Sequence, residues 1–203
     1  MKSLSEIDTT SKRASRAAGF SWGVAEEIGK SIRSLELFGF PGIKTLNKYY
    51  ILKNKNKFEN LNLIKENNFS EKNPYCPITL GINFLDQIRY IEKFKKVTFN
   101  KLCSPLLIIP FLSRSSEVIG KKIKVNFNNY QFLLNLNVNI SSNLMDQNLP
   151  EIVENIEINI MENKDHFSEQ EWKSLYKLSE ETFVEETDSL KQSAAGAGLT
   201  DND

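Results

Sequence analysis

The residues best suited to chemistry lie in one short block, RASRAAGFSWGVAEEIG, at positions 13–29. Glu26 and Glu27 are adjacent carboxylates, and either one could act as an acid or a base in a reaction. A carboxylate that lies beside other carboxylates has a raised pKa, which would be useful near neutral pH. The block also holds three side chains that would form a polar pocket wall and contact a ligand: Arg16, Ser21 and Trp22.

The same block has an alternative, purely structural interpretation. Ser21 is a typical N-cap residue and can accept a hydrogen bond from an early N–H of the helix that follows. Glu26 and Glu27 place negative charge in the N-terminal half of that helix, where the helix dipole favours it. Small residues such as Ala17 and Gly19 allow another backbone to approach closely. A tight corner between two helices therefore explains the block equally well.

The second unusual stretch is AAGAGLTDND, positions 194–203. Its glycines expose backbone amides with no side chain over them, which suits close approach to an anion. Its two aspartates and the terminal carboxylate could bind Mg²⁺ or Ca²⁺, or dock on arginine or lysine. The alternative is a terminus with no specific role. The residues expected to contact a ligand, with the aspartates also as candidate metal ligands, are Gly196, Gly198, Asp201, Asn202 and Asp203.

Several kinds of chemistry are excluded by the residue types present. The chain has one histidine, His166, so a metal site built from several histidines is excluded, and a catalytic triad would have to use this residue. His166 lies in the polar linker ENKDHF and is interpreted as an exposed or capping residue. The sequence has no GxGxxG, P-loop or GxSxG motif. It therefore indicates no reaction and no cofactor, and whether the protein is an enzyme stays open.

Composition and charge limit the expected partners. Lys plus Arg number 26, as do Asp plus Glu, and the resulting net charge of zero argues against nucleic-acid binding. The longest apolar run, Pro105–Leu112, is far shorter than the ~20 residues that cross a bilayer. The N-terminus lacks the apolar region of a signal peptide, so Cys76 and Cys103 are expected to be free thiols. We expect a cytoplasmic protein that binds a small molecule or a protein partner, but no nucleic acid and no membrane.

The elements that would position these residues begin with helices. An S-x-x-E capping box predicts a first helix over about residues 3–18. Apolar residues at helical spacing predict a second helix over residues 22–38, a third over 43–53 and a fourth over 82–94. The polar segment 54–73 is expected to be a flexible loop.

The second half of the chain has the pattern of a sheet. The apolar run Leu106–Ile109 predicts a fully buried strand, and Arg114 and Ser115 at its exit are candidates for ligand contact. Alternation with a period of two predicts three further strands, over residues 123–127, 134–140 and 156–160.

Local signals complete this prediction. Asn128-Asn129 suits a two-residue hairpin turn, because Asn tolerates positive φ. A second capping box, Ser168–Glu171, predicts a helix that runs to about Phe183. The predicted fold class is α+β, with N-terminal helices packed on a mostly antiparallel sheet and a C-terminal helix and tail. The predicted organisation is a single domain over residues 1–203: a helical part (1–53), a flexible loop (54–73), a sheet (104–161), a helix (168–183) and a functional tail (194–203).

Three segments resemble a bacterial family known only as a domain of unknown function. Its members open with a block like R-A-A-R-G-A-G-x-S-W-G-x-A-E-E-A-G, carry a P-L-L-L-L-P-F-L-like segment and end in G-A-G-A-G-L-T-D-N-D. This chain has the corresponding segments at 13–29, 105–114 and 194–203, with Ser15 and Ala18 where other small residues are usual. The resemblance implies no activity, but it implies that the tail has a role.

Two functions are compatible with these observations. In the favoured interpretation, the protein is a small-molecule binding protein or an enzyme, and its C-terminal tail completes a polar site with the N-terminal helix corner. In the alternative, it is a non-catalytic subunit or assembly protein that uses the tail to dock a partner. A homodimer is compatible with either interpretation.

Overall fold

A computed structural model of the chain describes residues 2–144 and 149–183. The chain divides into two units, Met1–Asn163 and Lys164–Asp203. Helices and a mostly antiparallel sheet form the first unit, so the fold class is α+β, as predicted. Every helix within the described ranges falls short of the length and apolar character that a bilayer crossing requires.

The three N-terminal helices are confirmed close to their predicted bounds. The first, α1, spans Leu4–Ala17 and begins at the predicted capping box, in which Ser3 and the third residue of the helix exchange hydrogen bonds. The second, α2, spans Trp22–Leu37 and begins at Ser21, whose side chain accepts a hydrogen bond from the backbone of the first turn. The third, α3, spans Gly42–Lys55.

The apolar run Pro105–Leu112 is helical. It forms a 3₁₀ helix, Pro105–Ile108, and the start of helix α5, Ile109–Ile119. The predicted strand over Leu106–Ile109 is therefore wrong. The run is buried along its whole length, and burial on all sides produces the same unbroken apolar pattern in a helix as in a strand. Helix α5 continues beyond this run to Ile119.

A fourth helix precedes this segment. Helix α4 spans Pro77–Ile91 and continues as a short 3₁₀ helix, Glu92–Phe94, close to the predicted range. Its polar side chains fix part of the segment that was expected to be a flexible loop, since Asn83 donates to the carbonyl of Leu61 at 2.7 Å. That segment therefore has fixed contacts with the rest of the unit.

The main sheet has six strands in the order β1-β2-β8-β4-β5-β6, and every neighbouring pair is antiparallel except β1 and β2. A separate two-stranded sheet pairs β3 with β7. The strands are β1 (Asn67–Asn68), β2 (Lys96–Phe99), β3 (Leu102–Cys103), β4 (Ile123–Phe127), β5 (Tyr130–Asn135), β6 (Asn139–Ser142), β7 (Ile152–Val153) and β8 (Ile156–Ile160).

The two hairpins of this sheet test the turn predictions. The turn at Asn128-Asn129 between β4 and β5 is confirmed, and Asn128 has a φ of 47°. The single strand predicted over residues 134–140 is wrong, because β5 and β6 are joined there by a tight turn. Leu136 and Asn137 both have positive φ in this turn, at 51° and 59°. Apolar residues alternate through the turn as they do in the strands, so the alternation did not indicate that the chain reverses direction there.

The core lies between the helices and one face of the main sheet. Helix α5 packs on β4 and β5, and α2 and α4 pack on α5. The alternating residues Ile123, Val125 and Phe127 of β4 point into this core and are buried. Cys76 and Cys103 are free thiols and are also buried there, as expected.

The second unit contains helix α6, Glu169–Glu180. Its predicted capping box is confirmed, since Ser168 and Glu171 exchange hydrogen bonds between side chain and backbone. The rings of Phe167 and Trp172 stack on each other with centroids 5.5 Å apart.

Candidate functional site

The predicted corner between α1 and α2 is held together by its own contacts. Arg16 donates a hydrogen bond to the carbonyl of Phe20 at 2.9 Å, and its guanidinium lies 5.6 Å from the centre of the Trp22 ring. Ser21 caps α2. Trp22 remains 58% exposed. These contacts support the structural interpretation of Arg16, Ser21 and Trp22, and their role in a ligand site stays a prediction.

Glu26 and Glu27 form ion pairs. Glu26 lies 3.7 Å from the Lys12 ammonium and 3.2 Å from the Lys30 ammonium. Glu27 lies 3.1 Å from Lys30 and accepts a hydrogen bond from Arg114. The two carboxylates therefore have basic partners on three separate side chains.

These partners reverse the expected pKa shift. The hydrogen bond from Lys30 and the nearby Lys12 charge hold the pKa of Glu26 below its usual value. Burial raises the pKa of Glu27, but the hydrogen bonds and charges of Arg114 and Lys30 outweigh burial, and the pKa is lowered. The raised pKa expected for this pair is therefore wrong. Both carboxylates are ionised at neutral pH and are poorly suited to exchange a proton there.

The predicted tail residues, Gly196, Gly198, Asp201, Asn202 and Asp203, lie outside the described residues, and their role in a ligand or metal site stays a prediction. Among residues 2–144 and 149–183, no three His, Cys, Asp or Glu side chains are grouped so that they could hold a metal ion.

A cleft of about 200 Å³ opens next to these ion pairs, between α2, α5 and the turn that joins β5 to β6. Three of its lining residues are cations, namely Lys30, Arg33 and Arg114, and none is a carboxylate. We call it the cationic cleft. The hydrogen bonds that Lys30 donates to Glu27 and Glu26 raise the pKa of Lys30, so this side chain stays charged at neutral pH.

Helical spacing explains how the sequence builds the cleft. Residues three or four positions apart lie on one side of a helix, and α2 contributes lining residues at such intervals, including Lys30, Ser34 and Leu37. Pro110 and Arg114, four positions apart, line it from α5. The cleft therefore depends on two helices that are distant in sequence and adjacent in the fold.

The position of Arg114 is fixed from two sides. One guanidinium nitrogen donates to the Glu27 carboxylate, and the guanidinium carbon lies 5.0 Å from the centre of the Phe111 ring. The opposite wall is closed by Asn137, whose side-chain amide donates to Glu117 at 3.1 Å. These contacts preorganise the cleft before any ligand arrives.

Two residues that line the cleft each have a buried polar atom without a hydrogen-bond partner among the described residues: the hydroxyl oxygen of Ser31 and the second guanidinium nitrogen, Nη2, of Arg114. Ser31 is only 3% exposed. Leaving a buried polar group unsatisfied costs about 1–3 kcal/mol, so such groups call for an explanation. A ligand that accepts hydrogen bonds from both groups would provide one.

A second cavity, of about 300 Å³, lies between α1 and α3. Its lining is largely apolar, and its one ion pair, between Lys2 and Glu6, is balanced within the lining itself. Tyr50 at its wall shares a hydrogen bond of 2.6 Å with Ser15, and burial raises the pKa of Tyr50. Among the described residues, none that lines this cavity has a buried polar atom without a hydrogen-bond partner, so the cationic cleft is the better candidate site.

Two residues that the sequence singled out lie at or beside the cleft. Arg114 was a candidate for ligand contact and Glu27 was a candidate site residue, and the structure brings the two together. Sequence reasoning missed Lys30, Ser31 and Arg33 on α2. The available signal was the spacing of Lys30 and Ser34, which are four positions apart and therefore lie on one side of the helix.

A family model described as "Protein of unknown function (DUF3726)" matches residues 2–75. The matched part carries α1, α2, α3 and β1, and therefore the α2 wall of the cationic cleft, but not the α5 wall. No curated protein and no solved structure matches the chain. The match agrees with the resemblance to a family of unknown function and supplies no activity.

Proposed function

We propose that the protein binds a small anionic molecule in the cationic cleft. The observation that carries this proposal is a lining with three cations, no carboxylate and two buried, unpartnered polar groups on facing helices. Hydrogen bonds from charged donors to an anion are stronger than those between neutral groups. An anion would therefore satisfy both the Ser31 hydroxyl and the free nitrogen of Arg114.

Binding, and not catalysis, is the activity that this lining supports. Its charged side chains are Lys30, Arg33 and Arg114, and ammonium and guanidinium groups donate hydrogen bonds but accept none. Glu27 lies behind Arg114 as its ion-pair partner, with a lowered pKa. The cleft can hold and orient an anion, but its lining has no group that exchanges a proton near neutral pH.

The test is a titration of the full chain with a panel of small carboxylates, phosphates and sulfate, each beside a neutral analogue. A ligand that binds only the folded state raises the melting temperature with its concentration. We expect at least one anion to do so. Ser31→Ala, which keeps the charge of the cleft, should weaken its binding about tenfold or less, the value of one hydrogen bond.

The matched control is Lys48→Gln, which removes one exposed positive charge on α3, away from the cleft lining. Binding that weakens equally in Lys48→Gln and in Arg33→Gln would show a nonspecific charge effect and contradict the proposal. A panel without any stabilising anion would contradict it as well.

A further inference from the structure

Resting on the proposed function, we infer that the ligand is a small monocarboxylic acid with an apolar group. This inference deepens the assignment of the cationic cleft from an anion in general to one class of organic acid. It depends on the charge balance around the cleft, on the number of free donors and on the apolar part of the lining.

The charges around the cleft are nearly balanced before a ligand binds. Each lining cation already has a carboxylate partner: Lys30 pairs with Glu26 and Glu27, Arg33 with Asp8, and Arg114 with Glu27. Three cations therefore face three carboxylates. Lys12 adds one positive charge beside Glu26, and Glu117 adds one negative charge beside Asn137.

This balance favours an anion with a single charge. One negative charge gains hydrogen bonds from the cleft and meets no large repulsion. A dianion such as a phosphate monoester would bring a second negative charge near Glu27 and Glu117, while every cation in the cleft lining is already paired. The carboxylates behind the cleft therefore favour a ligand with one negative charge over a ligand with two.

The free donors match a carboxylate in number. Two lining residues, Ser31 and Arg114, each carry one polar group without a partner among the described residues, the Ser31 hydroxyl and the Arg114 nitrogen Nη2. A carboxylate has two oxygens, and each can accept one of these hydrogen bonds. A phosphate group would keep further oxygens without partners, which is costly in a partly enclosed site.

The remaining wall of the cleft is apolar. Leu37, Phe38 and Pro110 line it beside the cations, and Leu37 is 59% exposed at the edge. A ligand with a hydrocarbon or aromatic group would cover this surface, which water otherwise contacts. The cleft volume of about 200 Å³ limits that group to a small one.

The experiment is a calorimetric titration of the full chain at pH 7.5 with a matched set of probes. Acetate, butanoate and benzoate share a carboxylate and differ in apolar size, benzamide is the neutral analogue of benzoate, and inorganic phosphate and phenyl phosphate are the dianions. We expect benzoate or butanoate to bind at least tenfold more tightly than acetate, benzamide and both phosphates.

Two variants connect this series to the structure. Leu37→Ser changes an exposed residue, so the fold should persist, and it should weaken benzoate binding several-fold while leaving acetate binding unchanged. Ser31→Ala should weaken all carboxylates by a similar factor. Circular dichroism checks that both variants are folded.

The outcomes separate this inference from the proposed function. Equal or tighter binding of phosphate or phenyl phosphate, or equal binding of acetate and benzoate, would overturn the monocarboxylic acid and leave an anion site in place. The absence of binding by every anion in the set would overturn both.

Discussion

Glu27 fixes the position of Arg114, because its carboxylate accepts a hydrogen bond from the Arg114 guanidinium. We expect Glu27→Gln to destabilise the protein by about 1–2 kcal/mol at pH 7, since the partly buried guanidinium loses its charged partner. The free energy of unfolding, measured with urea, checks this value.

The pH dependence of the same variant has a definite sign. The folded-state pKa of Glu27 is lowered from 4.5, so its contribution to stability is present above that value and is lost as the pH falls through the folded pKa. The difference between wild type and Glu27→Gln should therefore shrink below about pH 4. Glu66→Gln, at an exposed carboxylate without an ion-pair partner among the described residues, is the control. A difference that is constant from pH 7 to pH 3 would contradict the role assigned to Glu27.

Leu136 is a second residue whose effect is predictable. It has a φ of 51° in the turn between β5 and β6, a conformation that costs a non-glycine residue about 1–2 kcal/mol and that Asn tolerates better. Leu136→Asn should therefore raise the unfolding free energy by about 0.5–1 kcal/mol. Leu136→Ala, which also removes the exposed side chain but keeps the strain, should not. Equal effects of the two changes would show that the loss of the leucine side chain, and not the relief of backbone strain, changes the unfolding free energy.

At the scale of elements, the close approach of α1 and α2 depends on Gly29. A Cβ atom at Gly29 would lie 2.8 Å from the backbone oxygen of Asp8 and 2.6 Å from its carboxylate. We expect Gly29→Ala to destabilise the protein by about 1–3 kcal/mol, because the helices must move apart. Gly23, in the same helix, has no atom within 4 Å of the corresponding position.

Gly23→Ala is thus the matched control in α2, and it should leave stability unchanged or raise it by up to about 1 kcal/mol through helix propensity. Thermal unfolding of the two variants side by side measures the contribution of packing. Similar melting temperatures for both would mean that α1 is not held against α2 in solution as tightly as these distances require.

The elements also show what the sequence could predict and what it could not. Capping boxes and helical spacing of apolar residues are local signals, and they located α1, α2 and the start of α6 almost to the residue, whereas α6 ends at Glu180, before the predicted Phe183. The apolar run before Arg114 carries no such signal, because burial on all sides removes periodicity, and its helix was predicted as a strand. The turn at Leu136 was not predicted either, because apolar residues alternate through it as they do in a strand.

The cleft could not be predicted from local sequence signals, for a different reason. It forms where α2 meets α5, and its central ion pair joins Glu27 and Arg114, which are 87 positions apart in the sequence. A sequence shows two charged residues but not the distance between them. It therefore did not indicate that the pKa of Glu27 would be lowered instead of raised. The structure brings the candidate residues Glu27 and Arg114 into contact, and this contact lowers the pKa of Glu27 where the sequence predicted a raised pKa.

At the scale of the whole molecule, stability is concentrated in the first unit. The buried apolar core extends from Ile28 to Ile160, within Met1–Asn163, and the described part of the second unit, residues 164–183, adds no residue to it. We expect a chain ending at residue 163 to fold, with an unfolding free energy within about 1 kcal/mol of the full chain. Circular dichroism and urea unfolding of the two chains test this.

The same shortened chain distinguishes the cleft from the tail as the source of binding. All the residues that line the cationic cleft lie in the first unit, so the shortened chain should bind a carboxylate probe with an affinity within about twofold of the full chain, a difference of less than 0.5 kcal/mol. A chain that keeps its fold but loses binding would contradict the cleft as a sufficient site. It would instead support the sequence-based prediction that residues 194–203 take part in binding, and a chain shortened only by those ten residues would then locate the effect. Because both shortened chains keep every charge in the cleft, a change in affinity cannot be attributed to the ion pairs of Glu27 and Arg114.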